Sequence, residues 1–362
     1  MFKEKTMKKL LALITTGIML AFATATAQAQ YRMIVPQEPG GGTSIWAGII
    51  AKELEKKLGE RIILEHIPGA RDIPGANRFQ RELRFDNKTI MVSHGGNAES
   101  YLLEKVEYRY SDWEPIGLMN LSIVIGHRKD SDPYRNIRFA SGSGNIPDAL
   151  AMTLLICGPK KTTEEYLACY KERFRFVNGM RANERRLAYM RGELNVQRET
   201  TSAYNKFLLP LAENQLWFSH GILDVNTGKV VADHNFPSAP SFQQVYKQRW
   251  GVEPSGDLYN AYLLVKQYRD VLQKALWVNK GNPNAEKLRT ALREMLTDPE
   301  SVANIERDTG EYPWLIGPDV HKAMSTLESL TTEKALRDLV DWSVRAFGIE
   351  ASYNPSIVTN RK

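Results

Sequence analysis

The chain has 362 residues, of which 43% are hydrophobic and 25% are charged, an ordinary composition for a globular protein. This length is enough for about two domains and a large buried core. The formal net charge is +6, but half of it belongs to residues 1–29, which contain four lysines and one glutamate. The basic balance therefore gives no support to nucleic-acid binding, and we expect no nucleic-acid partner.

The first residues have the pattern of a secretory signal peptide. Lysines precede an apolar run at residues 10–23, and Ala27-Gln28-Ala29 follows as a cleavage site. We predict a cleaved signal peptide at residues 1–29, export of the protein and a mature chain that begins at Gln30. An uncleaved anchor is the alternative. No later segment reaches the ~18 consecutive apolar residues of a transmembrane helix.

The chain has two cysteines, Cys157 and Cys169. Export would place both in an oxidising compartment, where they could form a disulfide. They flank the helix-breaking pair Gly158-Pro159, so a bridge would join two consecutive helices. Two separate buried thiols are the alternative.

Strands and helices are predicted to alternate along the first part of the mature chain. The predicted strands are residues 33–36, 62–65, 89–93 and 123–126, and the predicted helices are residues 45–58 and 74–83. The first helix has apolar residues at helical spacing and ends at Gly59. Such alternation is typical of an α/β fold, with a parallel sheet and helices on both faces.

A polar stretch at residues 129–136 leads to a second unit of the same kind. Its predicted strands are residues 137–140, 174–177 and 194–196, and its predicted helices are residues 148–157 and 183–191. Later helices, predicted at residues 286–296, 318–330 and 332–347, would return to the first unit. We therefore predict domain 1 at residues 30–126 and 230–362, domain 2 at residues 127–229, and a mostly parallel sheet in each.

Three glycine-containing loops each precede a predicted helix, at residues 39–44, 68–75 and 141–145. The first turn of a helix has unpaired N–H groups and a partial positive charge, and glycine lets the backbone approach a ligand closely. The loops therefore indicate binding of a carboxylate or a phosphate on main-chain amides. For any single loop, a tight turn that needs glycine is the alternative.

Three segments carry a resemblance to a known family. They are YRMIVPQEPGGGTSIWAGIIAKELEKKLGERIILEHIPGARDIPGANRF, FRFVNGMRANERRLAYMRGELNV and DHNFPSAPSFQQVYKQRWGVEP. The first resembles the N-terminal signature of the solute receptors of tripartite tricarboxylate transporters, the TctC or Bug type, with its P-G-G-x-x-D and P-G-A-G-G loops. The resemblance is specific over roughly the first sixty mature residues and distant beyond them.

The resemblance implies a type II periplasmic binding protein that closes its two lobes around a small organic carboxylate and delivers it to membrane permease subunits. It also implies a set of ligand contacts in three loops. Carried over, these are Gly40, Gly41, Gly42, Thr43 and Ser44, then Pro68, Gly69, Ala70 and Arg71, then Ser141, Gly142 and Ser143, with Thr200, Thr201 and Ser202 in a further loop. No catalytic residue, cofactor or metal is implied.

Three features depart from the family pattern. Ser44 stands where the family usually has Asp, which puts recognition of a ligand hydroxyl or amine in doubt. Arg71 and Asp72 stand where it usually has Gly-Gly, so a guanidinium could enter the cleft and pair with a carboxylate. The alternative is that Arg71 pairs with Asp72 or points to solvent. A helix that usually precedes the loop at Ser141 is missing.

The end of the third predicted strand supplies further candidates, Ser93, His94 and Gly95, because ligands bind at the carboxyl edge of such sheets. A loop role for His94 is the alternative. His94-Gly95-Gly96 is similar to an esterase oxyanion loop, but no G-x-S-x-G motif accompanies it. The histidines show no metal-binding spacing, so we expect no metal site.

Arginines are frequent between residues 173 and 198. They are Arg173, Arg175, Arg181, Arg185, Arg186, Arg191 and Arg198. We interpret most of them as a solvated helix face, and we select Arg198, which follows a predicted strand, as the candidate that anchors a distal carboxylate.

Two other classes of function stay open. Gly40-x-Gly42 after the first strand and Glu65 at the end of the second imitate a dinucleotide-binding fingerprint, but Ile45 replaces its third glycine. A secreted enzyme that binds a nucleotide or another anion is therefore one alternative, and a ligand sensor for a membrane signalling partner is the other. The expected function is a receptor, not an enzyme.

Overall fold

The computed structural model of the protein describes residues 30–141, 145–224, 227–354 and 357. The predicted signal peptide at residues 1–29 lies outside these ranges. Among the described residues, none of the helices combines the length and the apolar character needed to cross a bilayer.

The described chain alternates strands and helices through most of its length. The strands are β1 Tyr31–Val35, β2 Ile62–His66, β3 Thr89–His94, β4 Trp113–Met119, β5 Ile123–Arg128, β6 Ile137–Ser141, β7 Phe174–Asn178, β8 Val196–Thr200, β9 Asn214–Ser219, β10 Ile222–Asp224, β11 Lys229–Val231, β12 Lys274–Asn279 and β13 Trp314–Ile316. The helices are α1 Gly42–Leu58, α2 Ile73–Arg81, α3 Gly95–Leu103, α4 Ile146–Cys157, α5 Thr163–Arg173, α6 Ala182–Met190, α7 Phe242–Trp250, α8 Asp257–Val271, α9 Ala285–Thr297, α10 Pro299–Thr309, α11 Pro318–Leu330 and α12 Glu333–Phe347. Short turns occur at Ala70–Asp72, Tyr110–Asp112, Thr201–Ala203 and Tyr204–Leu208.

The largest sheet has six strands in the order β13-β4-β12-β3-β1-β2. Strands β1, β2 and β3 pair in parallel, as the alternation of strands and helices predicted. Strand β12 enters from far along the chain and pairs antiparallel with both β3 and β4. The later part of the chain thus returns to the first unit through a strand that the sequence patterns did not predict.

Alternation of side chains along β1 builds an apolar core on each face of this sheet. Met33 and Val35 lie in one hydrophobic cluster, with Trp46 of α1, whereas Ile34 lies in a second cluster. Successive side chains of a strand point to opposite faces, so the consecutive apolar residues at positions 33–35 are buried on both sides of the sheet. Both clusters hold the carboxyl ends of β1 and β3 in place.

The middle of the chain forms separate, smaller sheets. Strands β6 and β7 pair in parallel, β8-β5-β9 forms an antiparallel sheet, and β10 and β11 form an antiparallel pair. Strand β5 includes the predicted boundary at residues 126 and 127 and pairs with β8 and β9. The division of the chain into domains at 127–229 and the remainder stays a prediction.

A disulfide joins Cys157, the last residue of α4, to Cys169 in α5, with Cα atoms 6.0 Å apart. The chain reverses between them at Gly158, whose φ of 69° is left-handed. The bridge therefore fixes the angle between two consecutive helices, as the spacing of the cysteines suggested.

We predict that reduction of this disulfide lowers the free energy of unfolding. The bridge closes a sequence separation of 12 residues, and a loop of about this size contributes about 3 kcal/mol by restricting the unfolded chain. Denaturant unfolding of the oxidised protein and of the Cys157→Ala/Cys169→Ala variant measures the difference. Equal unfolding free energies, or two free thiols in the purified oxidised protein, would contradict the prediction.

Candidate functional site

A polar cavity of about 730 Å³ lies at the carboxyl ends of β1 and β3 and extends to α6 and β8. Its lining contains more cationic than anionic residues. The cations are Arg71, Arg181, Arg185, Arg186, Arg198, Arg269 and Lys274, and the carboxylates are Glu38, Asp72, Glu184 and Glu199. Among the described lining residues there is no aromatic side chain except His94, and no Leu, Ile, Val or Met. The cavity is therefore suited to a small, polar anion.

Five helices begin at this cavity. The residues that precede their first turns, Gly41 before α1, Asp72 before α2, His94 before α3, Asn145 before α4 and Arg181 before α6, all line it. Among the described side chains, none caps the first turn of α1, α2 or α4. The positive ends of several helix dipoles thus face one volume, and their amide groups are available to an anion.

The backbone is strained at the cavity wall. Arg71, Asp72 and Asn145 have φ angles of 53°, 63° and 45°, and these are the positive-φ residues other than glycine in the described chain. Such a conformation costs on the order of 1 kcal/mol or more per residue. Side chains of α3 hold it: Ser100 donates to the Arg71 carbonyl at 2.9 Å, and Asn97 donates to the Asp72 carbonyl at 2.6 Å.

Most cations of the cavity have a carboxylate partner. Arg71 lies 2.6 Å from Glu104, Arg186 lies 2.8 Å from Glu199, and Arg198 lies 3.3 Å from Asp148. Arg269 pairs with Glu99.

The buried carboxyl of Asp148 illustrates the strength of these pairs. Burial opposes its charge, but Arg198 and a hydrogen bond from His220 bring its pKa down to about 2. Burial in turn lowers the pKa of Arg198 to about 10. Both groups are charged at neutral pH, because each value lies on the charged side of neutrality.

Two buried cations, Arg185 and Lys274, have no carboxylate within ion-pair distance among the described residues. Arg185 donates to the Met180 carbonyl at 2.9 Å, and Lys274 donates to the Thr43 hydroxyl at 2.8 Å. Burial lowers the pKa of both groups, and for Lys274 the shift is large because Arg198 and Arg269 add repulsion. A bound anion would supply the missing negative charge.

The structure brings about half of the predicted ligand contacts to this cavity. The predicted residues that line it are Gly41, Gly42, Thr43, Pro68, Gly69, Arg71, His94, Arg198 and Thr200. Gly40, Ser44, Ser93, Gly95, Ser141 and Thr201 are not among the lining residues. Gly142 and Ser143 lie outside the described residues, and so do the side chains of Ala70 and Ser202.

The predicted residues outside the lining have structural contacts instead. Ser44 lies 2.9 Å from His66 of β2, Ser93 accepts a hydrogen bond from Trp277 at 2.8 Å, and Thr201 bonds Tyr312. Gly95 serves close packing, because a Cβ atom there would lie 2.2 Å from the Gln273 side chain.

Two interpretations of the arginines need correction. Arg185 and Arg186, which were expected on a solvated helix face, are buried against the cavity. Their side chains are held there by Met180 and Glu199. Arg71 pairs with Glu104 and not with Asp72.

The sequence patterns missed Arg269, Gln273 and Lys274 entirely, although all three line the cavity. They belong to the end of α8 and the start of β12. A signal was present, since Lys274 opens the strand KALWVN, in which every residue is buried. A lysine at the head of such a strand indicates a buried charge with a specific role.

Among the described residues, no cluster of three or more His, Cys, Asp or Glu side chains has the arrangement of a metal site. No family model and no curated protein matches the sequence.

Solved structures of similar shape are numerous. The periplasmic binding protein BugD has a TM-score of 0.59 and 18% identity, and the match covers 89% of this chain and 98% of BugD. MatC from Rhodopseudomonas palustris with bound malate has a TM-score of 0.55 and 18% identity, over 88% of this chain and 98% of MatC. Rpa4515 of R. palustris with adipate has a TM-score of 0.59 and 13% identity, over 88% of this chain and 97% of Rpa4515.

The chain has the fold of periplasmic binding proteins. The resemblance to the TctC and Bug solute receptors, first based on the glycine loops, is therefore confirmed at the level of the fold. Because the match covers nearly the whole length of these neighbours, the α/β architecture with a two-domain binding-protein topology holds for the described chain.

We predict that Lys274 makes stability depend on pH. The unfolded lysine keeps its proton up to about pH 10.4, whereas the buried one loses it at lower pH. Between these values the unfolded state binds more protons, so the free energy of unfolding rises with pH, by at most ~1.4 kcal/mol per pH unit.

The Lys274→Met variant should lack this contribution to the slope. Denaturant unfolding at pH values that approach about pH 10 measures it, with Lys280→Met as the control, because Lys280 is exposed just after the same strand. Identical slopes in the wild type and Lys274→Met would refute the prediction.

Proposed function

We propose that this protein is an exported receptor of the periplasm that captures a small organic carboxylate in the cavity. One observation carries the proposal: five helix N-termini and two unpaired buried cations face the same volume. An anion bound there would be held by main-chain amides and by charge together. The bound malate and adipate in MatC and Rpa4515 are in line with this choice.

The proposed mechanism is closure of two lobes around the ligand. Contacts already join the loop after β1 to α6: Glu38 lies 3.3 Å from Arg181, and the Gly40 carbonyl accepts from Arg186 at 3.5 Å. We propose that these contacts belong to the closed form, with residues 127–229 as the moving lobe. Ligand binding would stabilise closure because the anion pairs with groups from both sides.

We further propose delivery of the ligand to the permease subunits of a tripartite tricarboxylate-type transporter, and no enzymatic activity. Among the described lining residues the histidine, His94, contacts Asp72 and Gly96 and not a serine or threonine hydroxyl. Binding without chemistry is the function that this lining supports best.

The first experiment is a thermal-shift screen of the purified protein against mono-, di- and tricarboxylates, with nicotinamide cofactors included. A ligand that binds only the folded state raises the melting temperature. We expect a carboxylate to do so, with calorimetry as confirmation. A response to a nicotinamide cofactor alone would instead favour the enzyme.

The Arg185→Gln variant should bind the identified carboxylate at least about tenfold more weakly, because it removes an unpaired buried charge. Arg191→Gln is the matched control, since Arg191 ends the same helix, is exposed and pairs with Glu193. Calorimetric titration of both variants with the carboxylate measures their affinities. Equal affinities would exclude Arg185 from the binding site.

The Gly41→Val variant should fold but bind the carboxylate weakly. Gly41 has a φ of −70°, which any residue adopts, and a Cβ atom there would meet only the flexible Gln37 side chain at 3.2 Å and the Glu38 carbonyl at 3.4 Å. A branched side chain would block approach to the amides of α1. Gly48→Ala, in the same helix, is the control, and unchanged affinity of a folded Gly41→Val protein would disprove this placement.

A further inference from the structure

Asp72 is the exception in the charge pattern of the cavity. It is a buried carboxylate with no arginine or lysine within ion-pair distance among the described residues, and its neighbour is His94 at 3.1 Å. The Nδ1 atom of His94 accepts the N–H of Gly96 at 3.1 Å, so the proton of the neutral ring lies on Nε2, toward Asp72. Burial lowers the pKa of His94, so this ring is neutral and leaves the charge of Asp72 uncompensated.

Asp72 lines the same cavity as the two unpaired cations, Arg185 and Lys274. Its negative charge acts on both Arg185 and Lys274, opposing the effect of burial on their pKa values. Neither cation lies within ion-pair distance of it. All three groups line the same cavity, and 11% of the Asp72 side chain remains accessible.

The backbone at Asp72 indicates that its side chain matters. A left-handed residue is most easily glycine, yet Asp72 adopts a φ of 63° beside another strained residue, Arg71. On the other side, Gly96 leaves room for the carboxylate, because a Cβ atom at Gly96 would lie 2.2 Å from Asp72 Oδ2. Strain of this kind persists where the surrounding structure enforces it, and it is frequent at ligand sites.

We propose that Asp72 is a specificity-determining residue that accepts a hydrogen bond from a hydroxyl group of the bound anion, so that the ligand is a hydroxy acid. This proposal rests on the proposed function, because Arg185 and Lys274 must hold the carboxylate. An ammonium group could also donate to Asp72, but those two cations would repel it. A hydroxyl group satisfies the carboxylate without adding positive charge.

The test compares acids that differ only in the donor group. Malate carries a hydroxyl group, aspartate an ammonium group and succinate neither, and lactate is compared in the same way with propionate, which lacks its hydroxyl group. Calorimetric titration of the wild type should show that the hydroxy acid of a pair binds at least about tenfold more tightly than its parent acid. Aspartate should bind more weakly than malate. Equal binding of each hydroxy acid and its parent, or a preference for aspartate over malate, would overturn the proposal.

The Asp72→Gly variant should lose the preference for the hydroxyl group and bind succinate and propionate no more weakly than the wild type. Glycine also suits the left-handed backbone, so folding is retained. Asp298→Asn is the matched control, because Asp298 likewise precedes a helix with proline in its first turn but lies outside the cavity. The control should keep the wild-type preference.

The outcomes separate the two proposals. If no organic acid binds the wild type, the proposed function fails and the role of Asp72 fails with it. If acids bind but Asp72→Gly keeps the preference for the hydroxyl group, only the role of Asp72 is overturned.

Discussion

Positive charge is concentrated in one cavity, much of it on buried side chains, and the surrounding structure is organised to tolerate it. Charges removed from water are expensive unless they are paired. Here Glu99, Glu104 and Asp148 stand behind the wall and pair with the arginines that line it. The wall is thereby fixed, while its front carries the N-terminal amides of several helices.

Glycine residues allow the chain segments around the cavity to approach each other closely. Gly95 and Gly96 follow β3, and side chains at these positions would overlap Gln273, Arg269 and Asp72. The glycines that sequence reading associated with a ligand thus serve partly to pack polar groups of the site against each other. At the start of α1, Gly41 borders the cavity, whereas a Cβ atom at Gly42 would lie 2.9 Å from the Thr200 hydroxyl.

Insertion of β12 between β3 and β4 decides which side chains reach the site. The strand runs antiparallel to β3, with Lys274 opposite His94. Residues separated by well over a hundred positions therefore meet at one edge of the sheet. Packing of α6 against β8 brings Arg186 and Glu199 into one ion pair, and Arg186 is thereby buried.

The sequence by itself determined the features that depend on local order. Apolar periodicity and glycine stops predicted α1, β1, β2 and β3 and their parallel pairing. Of the loop at residues 39–44, Pro39, Gly41, Gly42 and Thr43 line the cavity. Tertiary structure alone decided the place of β12, the burial of Arg185 and Lys274, and the contacts that withdraw Ser44 and Ser93. The reason is physical: the period of a helix or strand is set by neighbouring residues, whereas the partner of a buried charge is set by segments that meet only after the chain has folded.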